Sequence, residues 1–307
     1  MPEGDTIYRA ARALNQALAG RIVTGFETAL AKLARVNDET PILGRLIERV
    51  ESRGKWCLMH FSARNPTQEA LILVTHMLMS GSWHLYRSGE RWRMPRSHMR
   101  VAIRTNDWEA VAFNIQIAEF HTAHSLERST RIPKLGPDIL ASDFTADTGI
   151  TRLEAHARQH PDAEVGVVLL NQRVLAGLGN VYKSEVAFAA GVNPWRAMRT
   201  VTRAEMERLV EFAQRYMQAN VADAKGEGIV TYAGNRRTTA RMNKEERLWV
   251  YGRQGQECRR CGATIMLRKQ GEQARSTYWC PECQPWIGEG AAPVGHTSPG
   301  RPRRVSC

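Results

Sequence analysis

The chain has no apolar run long enough to cross a bilayer. Its longest aliphatic strings, Leu71-Ile72-Leu73-Val74 among them, are four residues, whereas a spanning helix needs about 20. It also has no basic leader followed by an apolar core. It opens Met1-Pro2-Glu3-Gly4-Asp5, acidic and polar, which is unlike a secretory signal. A membrane protein and a secreted, disulfide-framed small domain are therefore not expected; a cytoplasmic protein is, nucleoid-associated in a bacterium. No internal repeat is visible. Acidic residues are in deficit, 31 against 43 Lys+Arg, for a net charge of +12. Such an excess favours polyanionic partners, nucleic acid most simply. Residues 236–283 hold eleven Lys/Arg and five Glu, so +6 falls in one short stretch. At 307 residues and 43% hydrophobic content, the chain is long enough for two domains with real cores.

Cysteine is scarce but patterned. Of six, Cys57 lies in an apolar strand pattern and reads as a small buried hydrophobe, and Cys307 is the last residue. The other four form Cys258-x2-Cys261-x18-Cys280-x2-Cys283. Two redox pairs or two disulfides would use the same residues. A cytosolic protein keeps thiols reduced, however, and the spacing suits tetrahedral Zn²⁺. Four ligands leave no open position, so such a site is structural.

Periodicity divides the chain. Ile7, Ala11, Leu14 and Leu18 predict a helix over 3–19. From 21 to about 121 short apolar runs alternate with Gly, Asn and Asp turns (22–26, 46–50, 56–61, 70–77, 82–86, 99–104, 109–113), the pattern of a β-sandwich or barrel. Residues 123–150, with Pro133, Gly136 and Pro137, read as a connection. Helical patterns follow, and Thr202-x-x-Glu205 is a capping box opening a helix with Met206, Leu209, Val210, Ala213 and Met217 on one side. Residues 223–245 read as a loop. Residues 285–307, rich in Gly, Pro and Ser and carrying Arg301, Arg303 and Arg304, read as a disordered basic tail.

Three separate segments resemble one family. They are the Met-Pro-Glu-Gly-Asp opening, the run Leu169-Leu170-Asn171-Gln172-Arg173-Val174-Leu175-Ala176-Gly177-Leu178-Gly179-Asn180-Val181-Tyr182-Lys183-Ser184-Glu185, and the four-cysteine module. The module is preceded by Trp249-Val250-Tyr251-Gly252-Arg253 and closes on Ala274-Arg275-Ser276-Thr277-Tyr278-Trp279-Cys280-Pro281-Glu282-Cys283. Together they resemble the formamidopyrimidine-DNA glycosylase/endonuclease VIII family over about residues 1–284, most like the endonuclease VIII branch. The resemblance implies a two-domain α+β fold. A catalytic β-sandwich with an N-terminal helix (1–122) and a linker (123–150) would precede a helical helix–two-turn–helix domain (151–245). A zinc-finger hairpin (246–284) and the tail would follow.

The implied activity is that of a bifunctional DNA glycosylase/AP lyase of base-excision repair. It would remove oxidised bases from duplex DNA as a monomer and cut the strand by β,δ-elimination. Pro2, exposed by removal of Met1, would be the nucleophile. A terminal amine titrates near about 7.7–8.0, so a usable fraction is neutral and can form a Schiff base. Glu3 would be the general acid/base, at a helix N-terminus that favours a carboxylate. Lys55, in the turn Ser52-Arg53-Gly54-Lys55-Trp56, would contact DNA and move protons. Arg275 would grip phosphates and assist the second elimination, on a hairpin stiffened by zinc. Asn180, read as a helix cap with phosphate-binding N–H groups beside it, and Lys134 would contact the backbone. Arg259, Arg268 and Lys269 would add general electrostatic contacts. On their own, Pro2 and Glu3 also suit an ordinary helix start and Lys55 a solvated turn.

A flipped base leaves a gap to fill. Met79, in His76-Met77-Leu78-Met79-Ser80-Gly81, is the expected apolar plug. The purine branch adds an Arg and a Phe from a second loop, but here the stretch 113–120 has no Arg. The endonuclease VIII branch uses Gln-Leu-Tyr where this chain has Leu78-Met79-Ser80. Oxidised pyrimidines are the favoured lesions. The alternatives are an oxidised-purine glycosylase and a non-catalytic binder of damaged DNA.

Overall fold

The computed structural model describes residues 2–65, 68–130, 134–222, 229–232, 247–288 and 291–297. The chain divides into two units, Met1–Leu135 and Gly136–Cys307.

In the first unit, the 3.6-residue spacing folds as expected. Helix α1 (Gly4–Leu18) buries Ile7, Ala11, Leu14 and Leu18, the larger three worth about 2 kcal/mol each in transfer terms. Eight antiparallel strands follow: β1 (Gly25–Thr28), β2 (Ile47–Arg53), β3 (Trp56–Phe61), β4 (Leu71–His76), β5 (Ser82–Arg87), β6 (Met99–Arg104), β7 (Trp108–Phe113) and β8 (Ile117–His121). They form two sheets, ordered β1-β6-β7-β5 and β2-β3-β4-β8. Strand alternation sorts their side chains. Val50, Cys57, Met59, Leu73, Val101, Ile103 and Ala112 face one shared core with α1. Trp56, Leu58, Ile72 and Val74 form a second cluster, covered by Ile117, Leu126 and Leu135. Strand β3 is therefore buried on both faces.

Three elements depart from the sequence reading. Helix α2 (Ala31–Glu39) interrupts the strands; it buries only Leu33, so no apolar stripe announces it. The short strand β8 (Ile117–His121) is added on β4, and helix α3 (Ala123–Glu127) is capped by Thr122 and Ser125.

The second unit packs α4 (Ala146–Gln159), α5 (Val165–Leu170), α6 (Asn180–Ala190) and α7 (Arg203–Ala222) around Leu153, Leu169, Leu178, Val186, Leu209, Val210 and Met217. The capping box forms: Glu205 N donates to Thr202 Oγ1 at 3.3 Å and Thr202 N to Glu205 Oε2 at 2.8 Å. Helix α6 buries all of its residues except Ala189, because α5, α7 and the strand β10 (Arg275–Trp279) all pack on it. Strand β10 pairs with β9 (Met266–Gln270). Of the segment expected as a tail, His296 exchanges backbone hydrogen bonds with Leu267 at 2.8 and 3.2 Å, adding one rung beyond the hairpin. The Arg301, Arg303, Arg304 and Cys307 expectations, and most of the 223–245 loop, lie outside the described residues. Among the described residues no helix is long and apolar enough to cross a membrane.

Candidate active site and four-cysteine centre

In the first unit, strand register gathers the expected residues at one end. Glu3 is the N-cap residue of α1 and is fully buried; Pro2 beside it is half-buried. Two bonds set the helix against β2: Gly20 N donates to Ile47 O at 2.8 Å and Val50 N to Asn15 Oδ1 at 2.7 Å. From Asn15 back to Gly4 the helix rises about 16 Å, and from Val50 to Lys55 an extended chain covers about 16 Å. The start of α1 and the β2–β3 turn therefore lie at the same end. In that turn Arg53 pairs with Trp56 and Gly54 takes φ +58°. Glycine meets that need without strain and leaves Lys55 at the tip.

Trp56 pairs with His76, and His76 with Ile117. The loops after His76 and before Ile117 therefore share this end. His76 meets the Trp56 ring edge-on at 4.7 Å, and its Nδ1 accepts from Leu78 N at 3.0 Å. Burial, reinforced by the Lys55 ammonium, pushes its pKa down to about 4, so the ring is neutral at pH 7. Gly81 N donates to Met77 O at 2.8 Å, and a Cβ on Gly81 would stand 2.6 Å from that same oxygen. Met77 is buried, and Met79 at the tip is 63% exposed. This is an apolar side chain presented on a tied loop. In the second loop Asn114 takes φ +54°, Ile115 is buried and Gln116 is exposed. Asp5, in the first turn of α1, is buried with Arg9 Nη2 at 3.5 Å, and desolvation raises its pKa. Lys134 lines a cavity of about 530 Å³ with Arg49, Arg53, Trp56 and His60, so that cavity reaches the two residues that flank the Lys55 turn.

In the second unit, Gly177 (φ +102°) leads into α6. The helix cap is Gly179, and Asn180 is the first helical residue. Asn180 is therefore not the cap that its residue type suggested: glycine takes the extended φ of −123° and ψ of −162°. The Asn180 amide is 8% exposed, and its Oδ1 has no hydrogen-bond partner. Arg275 opens β10 and is exposed, its guanidinium donating to Gln273 Oε1 at 2.9 and 3.1 Å. Among the expected electrostatic residues, Arg259 lies over Tyr232 and Arg268 over Trp195.

The sulfurs of Cys258, Cys261, Cys280 and Cys283 all lie within 4.8 Å of one another. Cys258–Cys283 is 3.9 Å and Cys261–Cys280 is 3.5 Å. These are not disulfide lengths. A tetrahedron with metal–sulfur bonds of about 2.3 Å has edges of about 3.8 Å, so the cluster fits a metal ion. Cys57 is buried, and burial pushes its pKa up to about 12.

Three comparisons bear on this geometry. Residues 1–116 match the "Formamidopyrimidine-DNA glycosylase N-terminal domain", and residues 135–231 the "Formamidopyrimidine-DNA glycosylase H2TH domain". A "Probable endonuclease 8 2" of Streptomyces coelicolor is 35% identical over 99% of this chain and 100% of its own. The chain belongs to the formamidopyrimidine-DNA glycosylase/endonuclease VIII family. This is a family of DNA glycosylases with AP lyase activity. A "DNA-(apurinic or apyrimidinic site) lyase" of Mycolicibacterium smegmatis is 32% identical over 92% of this chain and 99% of that one. Among solved structures, the Lactococcus lactis Fpg in complex with abasic-site DNA superposes with a TM-score of 0.73, at 21% identity over 93% of this chain and 100% of that one. At that identity the likeness concerns the fold: a β-sandwich with a helix, a helical domain and a four-cysteine hairpin.

Sequence reasoning passed over Glu185. On α6 and fully buried, its Oε1 accepts from Val250 N (2.9 Å) and Tyr251 N (2.8 Å), and its Oε2 from Trp249 N (2.8 Å) and the Thr231 hydroxyl. It joins the helix to the approach to the cysteine module. The only signal was its place in the Gly-x-Gly-Asn run, five residues after Asn180.

Proposed function

We propose that this family member excises oxidised bases, pyrimidines above all, from duplex DNA and cleaves the strand through a Schiff base on Pro2. The carrying observation is the gathering of Pro2, buried Glu3, the Lys55 turn and the exposed Met79 loop at one end of the first unit. With Met1 removed, the neutral proline nitrogen attacks C1′ of the deoxyribose. The bond to the damaged base breaks, the base leaving with the proton shed by the proline nitrogen, and opening of the ring transfers a proton from Glu3 to O4′. The resulting iminium acidifies C2′–H. Loss of that proton expels the 3′-phosphate, and a second elimination expels the 5′-phosphate. Lys55 serves proton transfer and phosphate binding, Met79 fills the gap left by the flipped base, and Asn180 and Lys134 contact the backbone. Zn²⁺ held by Cys258, Cys261, Cys280 and Cys283 would cross-link the hairpin bearing Arg275. The DNA named with the Lactococcus lactis structure and the lyase named in Mycolicibacterium smegmatis support the same reading.

The test is borohydride trapping on duplexes carrying an abasic site, thymine glycol, dihydrouracil or 8-oxoguanine. A covalent adduct should form with the abasic and pyrimidine substrates, and Pro2→Gly and Glu3→Gln should lose it while still binding DNA. Preferential trapping on 8-oxoguanine would move the assignment to oxidised purines. No adduct from Met-processed protein would reduce it to binding.

A further inference from the structure

A lysine in a helix is ordinarily solvated; Lys183, in α6, is not. In the fold it is fully buried. Its Nζ donates to Ser276 O at 3.1 Å and to Thr277 Oγ1 at 2.6 Å; such charge-assisted bonds are short and strong. Ser276 and Thr277 are the two residues that follow Arg275. The Thr277 hydroxyl passes the chain on, donating to Gln270 Oε1 at 2.8 Å. Gln270 is the cross-strand partner of Arg275, and its Nε2 is anchored on Glu164 Oε2 at 2.9 Å and Pro194 O at 2.8 Å. The neighbouring Ser184 Oγ accepts from Tyr278 N at 3.3 Å. Two consecutive residues of α6 thus grip three consecutive residues of β10.

The grip is needed because the cysteine cluster holds the hairpin only from its far end. Cys280 lies five residues past Arg275, about 16 Å along an extended strand. Fixing one end of a two-stranded ribbon leaves the other free to twist. Asn180 is on the same helix, one turn before Lys183. The ammonium therefore ties both expected phosphate contacts of this unit to one rigid helix, without touching DNA itself.

We infer that Lys183 is a positioning residue that sets Arg275 against the strand for the second elimination. The inference rests on the proposed role of Arg275. It is tested by measuring the ratio of δ- to β-elimination products on an abasic duplex for K183M, R275A and the double variant, alongside borohydride trapping, zinc content and thermal melting. Misplacement by about 1 Å costs on the order of tenfold to a hundredfold in rate. K183M should therefore lower the product ratio by about that much while keeping its trapped adduct and bound metal. K183R, which can still donate to both oxygens, should restore the ratio. The double variant should be no worse than R275A, because the two residues act on one step. If K183M loses its metal, T277V, which keeps the lysine and removes the nearer of its two acceptors, should show a fall in the same direction. A fall in R275A with none in K183M, or losses that multiply in the double variant, would overturn the inference alone. An unchanged ratio in R275A would overturn the reading of Arg275, and this one with it.

Discussion

Glu185 offers a stability test whose size follows from counting donors. Its carboxylate accepts from three backbone N–H groups and one hydroxyl, all inside the fold. In Glu185→Ala all four lose their acceptor. The hydroxyl can turn elsewhere, but Val250 N, which is buried, and Trp249 N and Tyr251 N, which are half-buried, are left without their acceptor. An orphaned buried donor costs about 1–3 kcal/mol, so three should cost at least about 3 kcal/mol. In Glu185→Gln the amide oxygen can keep Val250 N and Tyr251 N. Its –NH₂ then faces Trp249 N and the Thr231 hydroxyl. The hydroxyl can reverse and accept, leaving one orphaned N–H and a lost charge, for about 2–3 kcal/mol. Thr231→Val removes one donor and leaves three, for about 1 kcal/mol. The expected order is therefore alanine, then glutamine, then the threonine variant. Urea unfolding of the metal-loaded protein, followed by tryptophan fluorescence, measures it. Residues 249–251 lead into Cys258, so metal should also be lost at lower chelator concentration in the same order. Glutamine and alanine variants both within about 0.5 kcal/mol of the parent, the spread of ordinary surface changes, would refute the donor count.

The remaining expectations concern pH and metal. Glu51 accepts from His60 Nε2 at 3.1 Å, and that bond, with help from Arg53 and Arg49, holds its pKa at about 2 against an ordinary 4.5. A depressed carboxylate stabilises the fold above its unfolded pKa and loses that stability as pH falls from about 4.5 to about 2. At 32% side-chain exposure, solvent screening limits the gain to about 1 kcal/mol. Glu51→Gln should therefore cost that much at pH 7 and nothing near pH 2; an equal cost at both would exclude the linkage. Stripping the metal should abolish duplex binding while far-UV circular dichroism still reports the sandwich, because Cys258, Cys261, Cys280 and Cys283 contribute nothing to the core of the first unit. Loss of the strand signal on chelation would contradict that independence.

Local signals carried much of the fold. The strands expected at 56–61 and 99–104 appear as β3 and β6, and α1 and the Thr202–Glu205 box form as read. Helix α2 escaped because one buried leucine makes no stripe. Asn180 shows a subtler failure. Its residue type suits a cap, yet Gly179 takes the cap position, and only backbone angles distinguish the two. The expected site residues fall into two groups by unit. Pro2, Glu3, Lys55 and Met79 gather through strand register, whereas Asn180 and Arg275 are joined through α6. Lys134 lines a cavity on the outer face of the second sheet that reaches Arg53 and Trp56, beside the Lys55 turn.

The sequence by itself determined the chemistry on offer: a proline and a glutamate at the start, four thiols at metal spacing, a Gly-x-Gly-Asn helix entry and a basic C-terminal third. Each is a short-range pattern, legible because neighbours in the chain must act together. Only the tertiary structure decided what Glu185, Lys183 and His76 do, because their partners lie 46 to 94 positions away for Glu185 and Lys183, and across a strand ladder for His76. A buried carboxylate, ammonium or imidazole is defined by the donors, acceptors and charges that enclose it, and that enclosure exists only once distant segments have packed.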